Sequence, residues 1–450
     1  MKRIPLRAVL AWLLGVCLCV ALPAPARAGD DSAGGDDAPA DWSLHFQATG
    51  IYQGYPAFHS PYQGPNSLSG GTQLRETLSA TAFLGYRLPW SGGALYFDPE
   101  LTQGFGVSHG EGVEGFPNGE AEKGGAATPV PNVARLFLRQ IIGLGGPQEK
   151  IADDENALAT MADIDRVTVT AGKFAANDMF DDNPYSHDPR SQFLNLSLSE
   201  SAAWDYPADQ KGYTDGLAVE FNQRRWALRG GWFLEPEANG RDLDPRFLKR
   251  YGAVLELETR HALWGEPGTL RTLVFVNRTP QGDYDDALAL AAAEGAIPST
   301  AAVRRDHWKI GAALNLAQAI TDTLGAFLRL SWNDGRSEGW AFTDIDRGLA
   351  AGLSLKGAAW RRPQDTVGLG GALNGLSKPA RNYFAAGGLG ILAGDGRLNY
   401  AAEGGAEVYY AIGLARWVAL TFDYQFVADP AFNQDRGPVS IFASRLHLAF

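Results

Sequence analysis

Apolar and polar residues take turns over one segment after another of this chain, and that period of two decides most of what it can become. Alternate residues of a β-strand face opposite sides of its sheet. In 440–450, Phe442, Leu446, Leu448 and Phe450 fall on one face, and Ala443, Arg445, His447 and Ala449 on the other. In 417–427, Val418, Leu420, Phe422, Tyr424 and Phe426 oppose Trp417, Thr421, Asp423 and Gln425. Segments 398–412, 307–318, 324–333 and 225–235 repeat the pattern. One face suits lipid and the other water.

A soluble sandwich also alternates, with its apolar face turned to a core. The connections separate the two cases. Those at 89–93, 223–224, 264–268, 361–363 and 413–416 are short. Between them lie long ones at 53–77, 105–132, 176–212, 237–250, 280–306, 334–346, 377–397 and 428–439. Short periplasmic turns alternating with long external loops mark a bacterial outer-membrane barrel. The count predicts an all-β, antiparallel transmembrane barrel of about sixteen strands, the size that leaves an aqueous channel. Strand lengths near ten residues match a tilted crossing of the bilayer. Segment 142–165 breaks the rule, because it is long where a short turn is expected, and a small periplasmic helix is expected around 153–163. A second short helix is expected at 285–296, inside an external loop.

The beginning of the chain fits export. Lys2, Arg3 and Arg7 precede an apolar run from Ala8 to Leu22 and then Ala26-Arg27-Ala28. This is the order of a secretory signal peptide, expected to span 1–28. Residues 29–40 are Asp, Gly, Ser and Ala in the main and read as a disordered periplasmic leader. The barrel is expected over 41–450. Both cysteines, Cys17 and Cys19, lie in the signal, so the mature chain has no disulfide, thiolate metal site or cysteine nucleophile. Removal of the signal takes the net charge from −12 to about −16, which argues against nucleic acid as a partner. No cofactor or metal is expected. The strand ending at Phe450 resembles the signal that outer-membrane assembly machinery recognises. Outer-membrane lipid and lipopolysaccharide are the expected surroundings.

The most distinctive segment is 177–216. It holds Asp178-Met179-Phe180-Asp181-Asp182-Asn183, then Asp188-Pro189-Arg190-Ser191-Gln192-Phe193-Leu194-Asn195. Ala203-Trp204-Asp205-Tyr206-Pro207-Ala208-Asp209 and Gly212-Tyr213-Thr214-Asp215-Gly216 follow. Near the end stand Asp429-Pro430-Ala431-Phe432-Asn433, Asp435-Arg436-Gly437-Pro438-Val439 and Arg445-Leu446-His447. These blocks resemble the carbohydrate-selective porin family. The resemblance implies a sixteen-stranded channel for passive entry of sugars, monosaccharides such as glucose and short oligosaccharides. It also implies a third external loop, here 176–212, folded inward to constrict the pore, and leans to a homotrimer. A general diffusion porin without sugar selectivity is the alternative.

A sugar offers hydroxyl groups and apolar C–H faces, so its channel needs exchangeable polar groups and aromatic rings, with binding weak enough for exit. The third loop offers Asp181, Asp182, Asn183, Arg190, Gln192 and Asn195 for hydrogen bonds. Phe180, Tyr185, Trp204 and Tyr206 are offered for stacking. Inward strand positions add Arg135, Arg139, Arg229, Arg329, Glu100, Glu403, Glu407 and Trp417. Loop Asp and Asn residues also make turns, and Trp204 and Tyr206 read equally well as anchors. Asp205, Asp209 and Arg436 read as ties between loop and wall. Trp226, Trp308, Trp332 and Tyr410 are expected in the lipid-facing aromatic belt. His447 lacks partners at metal-ligand spacing. A lipid hydrolase would need a Ser/His pair with an orienting group on one rim, and no such grouping is read in this sequence.

Overall fold

The computed structural model describes residues 40–121, 123–341 and 343–450. The expected signal peptide (1–28) and almost all of the expected leader (29–40) lie outside the described residues.

The described strands in chain order are β1 (Trp42–Tyr55), β2 (Gln73–Arg87), β3 (Gly93–Gly104), β4 (Ala126–Gly143), β5 (Gln148–Ile151), β6 (Thr160–Asp163), β7 (Arg166–Phe174), β8 (Thr214–Gln223) and β9 (Trp226–Leu234). They continue as β10 (Tyr251–Leu263), β11 (Glu266–Thr279), β12 (His307–Ala319), β13 (Leu324–Asn333), β14 (Arg347–Gly357), β15 (Arg362–Gly375), β16 (Glu403–Ala415), β17 (Val418–Ala428) and β18 (Val439–Ala449). All but β5 and β6 close into one antiparallel barrel, β1-β18-β17 and so on down to β7-β4-β3-β2. That makes sixteen strands among the described residues.

The alternation is the barrel's radial order. Along β13, Leu330 and Trp332 are 42% and 40% exposed, while Arg329, Ser331 and Asn333 between them are buried. On β2 and β3, Leu84, Tyr86, Leu95 and Phe97 are exposed, and Thr81, Asp98 and Glu100 are buried. In water such an exposed apolar belt would drive aggregation; in a bilayer it is the matching surface. Trp226, Trp308 and Trp332 belong to this exposed set.

Five connections take the tight form expected of them. Trp264 and Gly265 between β10 and β11 both have positive φ (55° and 89°), the backbone a two-residue hairpin needs to match strand twist. At the opposite end lie eight long connections, 56–72, 105–125, 175–213, 235–250, 280–306, 334–346, 376–402 and 429–438. The seam is made by β1 with β18, in the register Gly50↔Leu446. Phe46 and Phe450 exchange both backbone hydrogen bonds there, at 2.9 and 3.0 Å.

Two expectations need correction. Residues 153–163 are not a helix: β5 and β6 pair as a two-stranded ladder, Gln148↔Asp163 to Ile151↔Thr160. The strand expected from 398 starts only at Glu403. Before it, Tyr400 turns aside to stack on Phe432 and under the Arg381 guanidinium, so its apolar spacing served loop packing. The helix expected near 285–296 is Tyr284–Glu294, capped by the Asp283 carboxylate and ended by Gly295 at φ 67°. Among the described residues no helix is long and apolar enough to cross a membrane.

Candidate functional site

The third long connection, 175–213, carries most of the polar candidates, and the wall holds it along its length. Asp181 has a left-handed φ of 59°. Its carboxylate accepts from Ser201 N at 2.6 Å and Ser201 Oγ at 2.8 Å, which closes the loop on itself. From β12, Asn315 Nδ2 donates to Asp181 Oδ1 at 2.7 Å, and Asn315 Oδ1 accepts from Asn183 Nδ2 at 2.7 Å. From β13, Arg329 donates to the carbonyls of Asp181 (3.1 Å), Leu198 (2.8 Å) and Ser186 (2.7 Å). From β10, Glu256 accepts from Asp181 N at 2.8 Å. Glu407 on β16 accepts from Leu194 N (2.6 Å) and Asn195 N (2.9 Å). Arg445 on β18 donates to Pro189 O and Gln192 O, each at 2.7 Å. Arg329 and Glu407 are 1% and 2% exposed, and charges so far from water persist only when paired or hydrogen-bonded.

The second connection, 105–125, is tied in the same way. Glu403 accepts from Glu114 N (3.0 Å) and Gly115 N (2.8 Å), and also from Ala431 N (2.8 Å). Gln53 and Gln425 both donate to Pro117 O, at 2.6 and 2.7 Å.

The sequence candidates therefore divide by role. Asp181, Asn183, Arg329, Glu403 and Glu407 are buried ties between loop and wall. Glu100 is buried and accepts from Tyr213 Oη at 3.0 Å. Trp204 and Tyr206 are buried in an apolar cluster with Phe174, Phe180 and Phe233, the environment of an anchor. Gln192 braces the loop internally, accepting from His187 N at 2.6 Å and donating to Pro184 O at 2.9 Å. Trp417 stands apart: it lies in the turn between β16 and β17 and is 55% exposed. The alternation of β17 put it on the polar face, but the strand begins one residue later.

Open space remains in two places beside the loop. A cavity of about 90 Å³ is bordered by Glu120, Lys123, Arg135, Asp188, Arg190 and Tyr213. Its charges come in pairs: Arg135 with Asp178 (2.5 Å), Arg190 with Asp188 (2.9 Å) and Lys123 with Glu120 (3.7 Å). Burial pushes the Asp188 carboxyl up, but the Arg190 guanidinium outweighs it and holds the group well below the usual carboxylate range. A larger cavity, about 290 Å³, is bordered by Arg139, Arg229, Arg271, Asp182, Glu220 and Met179 among others. Arg229 is paired with Glu220, Glu256 and Glu258 within 3.0 Å. Arg271 reaches Asp182 at 3.0 Å and Glu258 at 2.9 Å. Sequence reasoning missed Arg271, Lys123 and Glu120. Arg271 was legible as an inward position of an alternating strand; the other two sit in a loop with no period to read.

Glu200 ends the short helix Leu196–Ser199 and is buried beside Asp181. Burial first, and the Asp181 charge second, push its carboxyl up to about 8 from an ordinary 4.5. The folded state thus holds a proton that the unfolded chain releases above pH 4.5. Stability is lost as pH rises from there towards 8, by about 1.4 kcal/mol per pH unit. Glu200→Gln is expected to melt with the wild type at pH 4 and well above it at pH 8. Thermal melts at both values test this; a variant that melts lower at both would refute it.

Among the described residues no group of three or more His, Cys, Asp or Glu is arranged to hold a metal ion. No curated protein matches the chain. Among solved structures, Pseudomonas putida OprB at high pH superposes with a TM-score of 0.68 at 15% identity, over 91% of this chain and 94% of that one. The outer-membrane channel DcaP of Acinetobacter baumannii gives 0.51 at 10% identity, over 91% and 97%. Both likenesses concern the fold. The family model described as carbohydrate-selective porin, OprB family, matches residues 66–450. With that match spanning most of the sequence, the chain belongs to the carbohydrate-selective porins of the OprB family.

Proposed function

We propose that this porin passes small neutral sugars, monosaccharides such as glucose and short oligosaccharides, in preference to ions of similar size. In this reading loop 175–213 is folded into the lumen as the constriction, and export depends on the signal peptide at 1–28. The observation that carries the preference is the pairing of charge beside the loop, Arg135 with Asp178, Arg190 with Asp188 and Lys123 with Glu120. Paired charges leave little net sign to attract an ion. They still present donors and acceptors in fixed positions, which a polyhydroxylated solute can exchange for water. Arg190, Asp182, Arg139 and Arg229, among the candidates that keep some exposure to solvent, are the proposed solute contacts. The buried candidates act on the solute only by setting the loop.

Purified protein in liposomes is expected to admit glucose several-fold faster than an amino acid or an anion of equal size. Swelling rates measure this directly. Equal rates for all three would leave a general diffusion pore.

A further inference from the structure

Segment 144–165 stands where the barrel otherwise uses tight turns, and it does not stay outside. Beyond the β5–β6 ladder its connection, 152–159, runs along the inner wall. Leu158 and Ala159 are 4% and 2% exposed. Leu158 N donates to Tyr96 Oη at 3.3 Å, and Asn156 Nδ2 donates to Asp98 Oδ2 at 2.9 Å. Arg139 donates to Asn156 O at 2.7 Å and Arg87 to Ala159 O at 2.8 Å. Asp153 Oδ2 lies 3.2 Å from His45 Nε2. The partners belong to β1, β2, β3 and β4, and Tyr96 and Asp98 are buried on the face opposite the exposed Leu95 and Phe97.

This segment and the third external loop meet inside the barrel. Asp98, held by Asn156, also lies 3.5 Å from Arg135, and Arg135 grips Asp178 of the loop at 2.5 Å. Ile151, Ala157, Leu158 and Thr160 border the same 290 Å³ cavity as Met179 and Asp182 of the loop. That cavity is therefore a chamber between an element entering from the outer end and one entering from the periplasmic end. Glu155 is exposed to solvent. An exposed side chain on a connection pinned to the inner wall through Asn156 and Leu158 is one that projects into the lumen.

We propose that the tip 153–156 forms a second constriction on the periplasmic side of the chamber, and that Glu155 is a specificity-determining residue there. Asp153, Asp154 and Glu155 place negative charge at the chamber's exit. A neutral solute passes without electrostatic cost, while an anion that has crossed the paired charges of the loop meets the repulsion of Asp154 and Glu155. The inference rests on the chain's being a porin and not on its preference for sugar.

The sequence contains no cysteine after Cys19, so a single introduced thiol is uniquely addressable. Glu155→Cys, treated in a bilayer with a trimethylammonium-ethyl methanethiosulfonate, is expected to lose roughly half of its single-channel conductance and to shift its reversal potential towards anion selectivity. Glu149→Cys, on the exposed face of β5, is expected to label without either change. Labelling of the Glu155→Cys variant verified by mass, with conductance and selectivity unchanged, would remove the tip from the conduction path. A thiol that does not label at all would overturn the proposal equally, since it requires the side chain to stand in lumenal water. Asp154→Cys supplies the same readout if the first variant does not assemble. Absence of conductance in the untreated wild type would instead count against the pore itself.

Discussion

Replacing Arg329 by alanine is expected to widen the channel and weaken its selectivity at once. The guanidinium donates to three loop carbonyls, Asp181, Ser186 and Leu198, and lies 3.4 Å from the Asp181 carboxylate. All of this is shut off from water, Arg329 being 1% and Asp181 2% exposed. Removing one partner of such a pair strands the other, a loss of about 3–5 kcal/mol. The β-ladder of β13 with β12 and β14 does not depend on the side chain, so the damage falls on the loop and not on the barrel. Single-channel conductance should rise at least about twofold as the loop leaves its seat. The same variant should still migrate as a folded, heat-modifiable barrel. Unchanged conductance would mean that the loop is seated without this tie.

Arg190→Ala is expected to act on the solute with the frame intact. Arg190 binds Asp188 through Nε and retains some exposure at the edge of the 90 Å³ cavity. Its loss leaves Asp188 without the guanidinium that lies 2.9 Å away and, on the function proposed above, removes a charged donor from the path. A hydrogen bond to a charged group contributes roughly 1.5–3 kcal/mol, so block of the current by glucose should weaken on the order of tenfold. The reversal potential in a salt gradient should move towards cation selectivity. Loss of folding yield with unchanged block and selectivity would assign Arg190 to the scaffold.

The barrel was legible because lipid imposes a period that soluble packing does not force on every strand. The alternation in 324–333 and 307–318 gave β13 and nearly all of β12. Short connections marked the tight end, and the long connections marked the other. The misreadings have a common cause in tertiary contacts. Glu155-Asn156-Ala157-Leu158-Ala159 favours helix by composition, yet the chain turns back at Glu155-Asn156, with Asn156 at φ 58°, and bonds to Tyr96, Asp98 and Arg87 hold it against the wall. Within the site, residue type signalled that Arg329, Glu403 and Glu407 matter. It could not signal that they face a loop and not water, because an inward position reads alike in either case. Arg139, Arg190 and Asp182 kept their exposure only because of where the loop came to rest.

The seam between β1 and β18 has a consequence for the order of events in this chain's life. The hydrogen bond between Thr49 Oγ1 and His447 Nδ1, 2.8 Å long, joins residues 398 apart in sequence. No early portion can mature and wait for the rest, because until β18 arrives both β1 and β17 are bare strand edges, ready to pair with any neighbour. Contacts of such span are slow to form, while the apolar belt is present from the start. Between export and insertion the polypeptide is therefore a sticky ribbon whose survival depends on being escorted, and it becomes a tube in the single step that brings its two ends together.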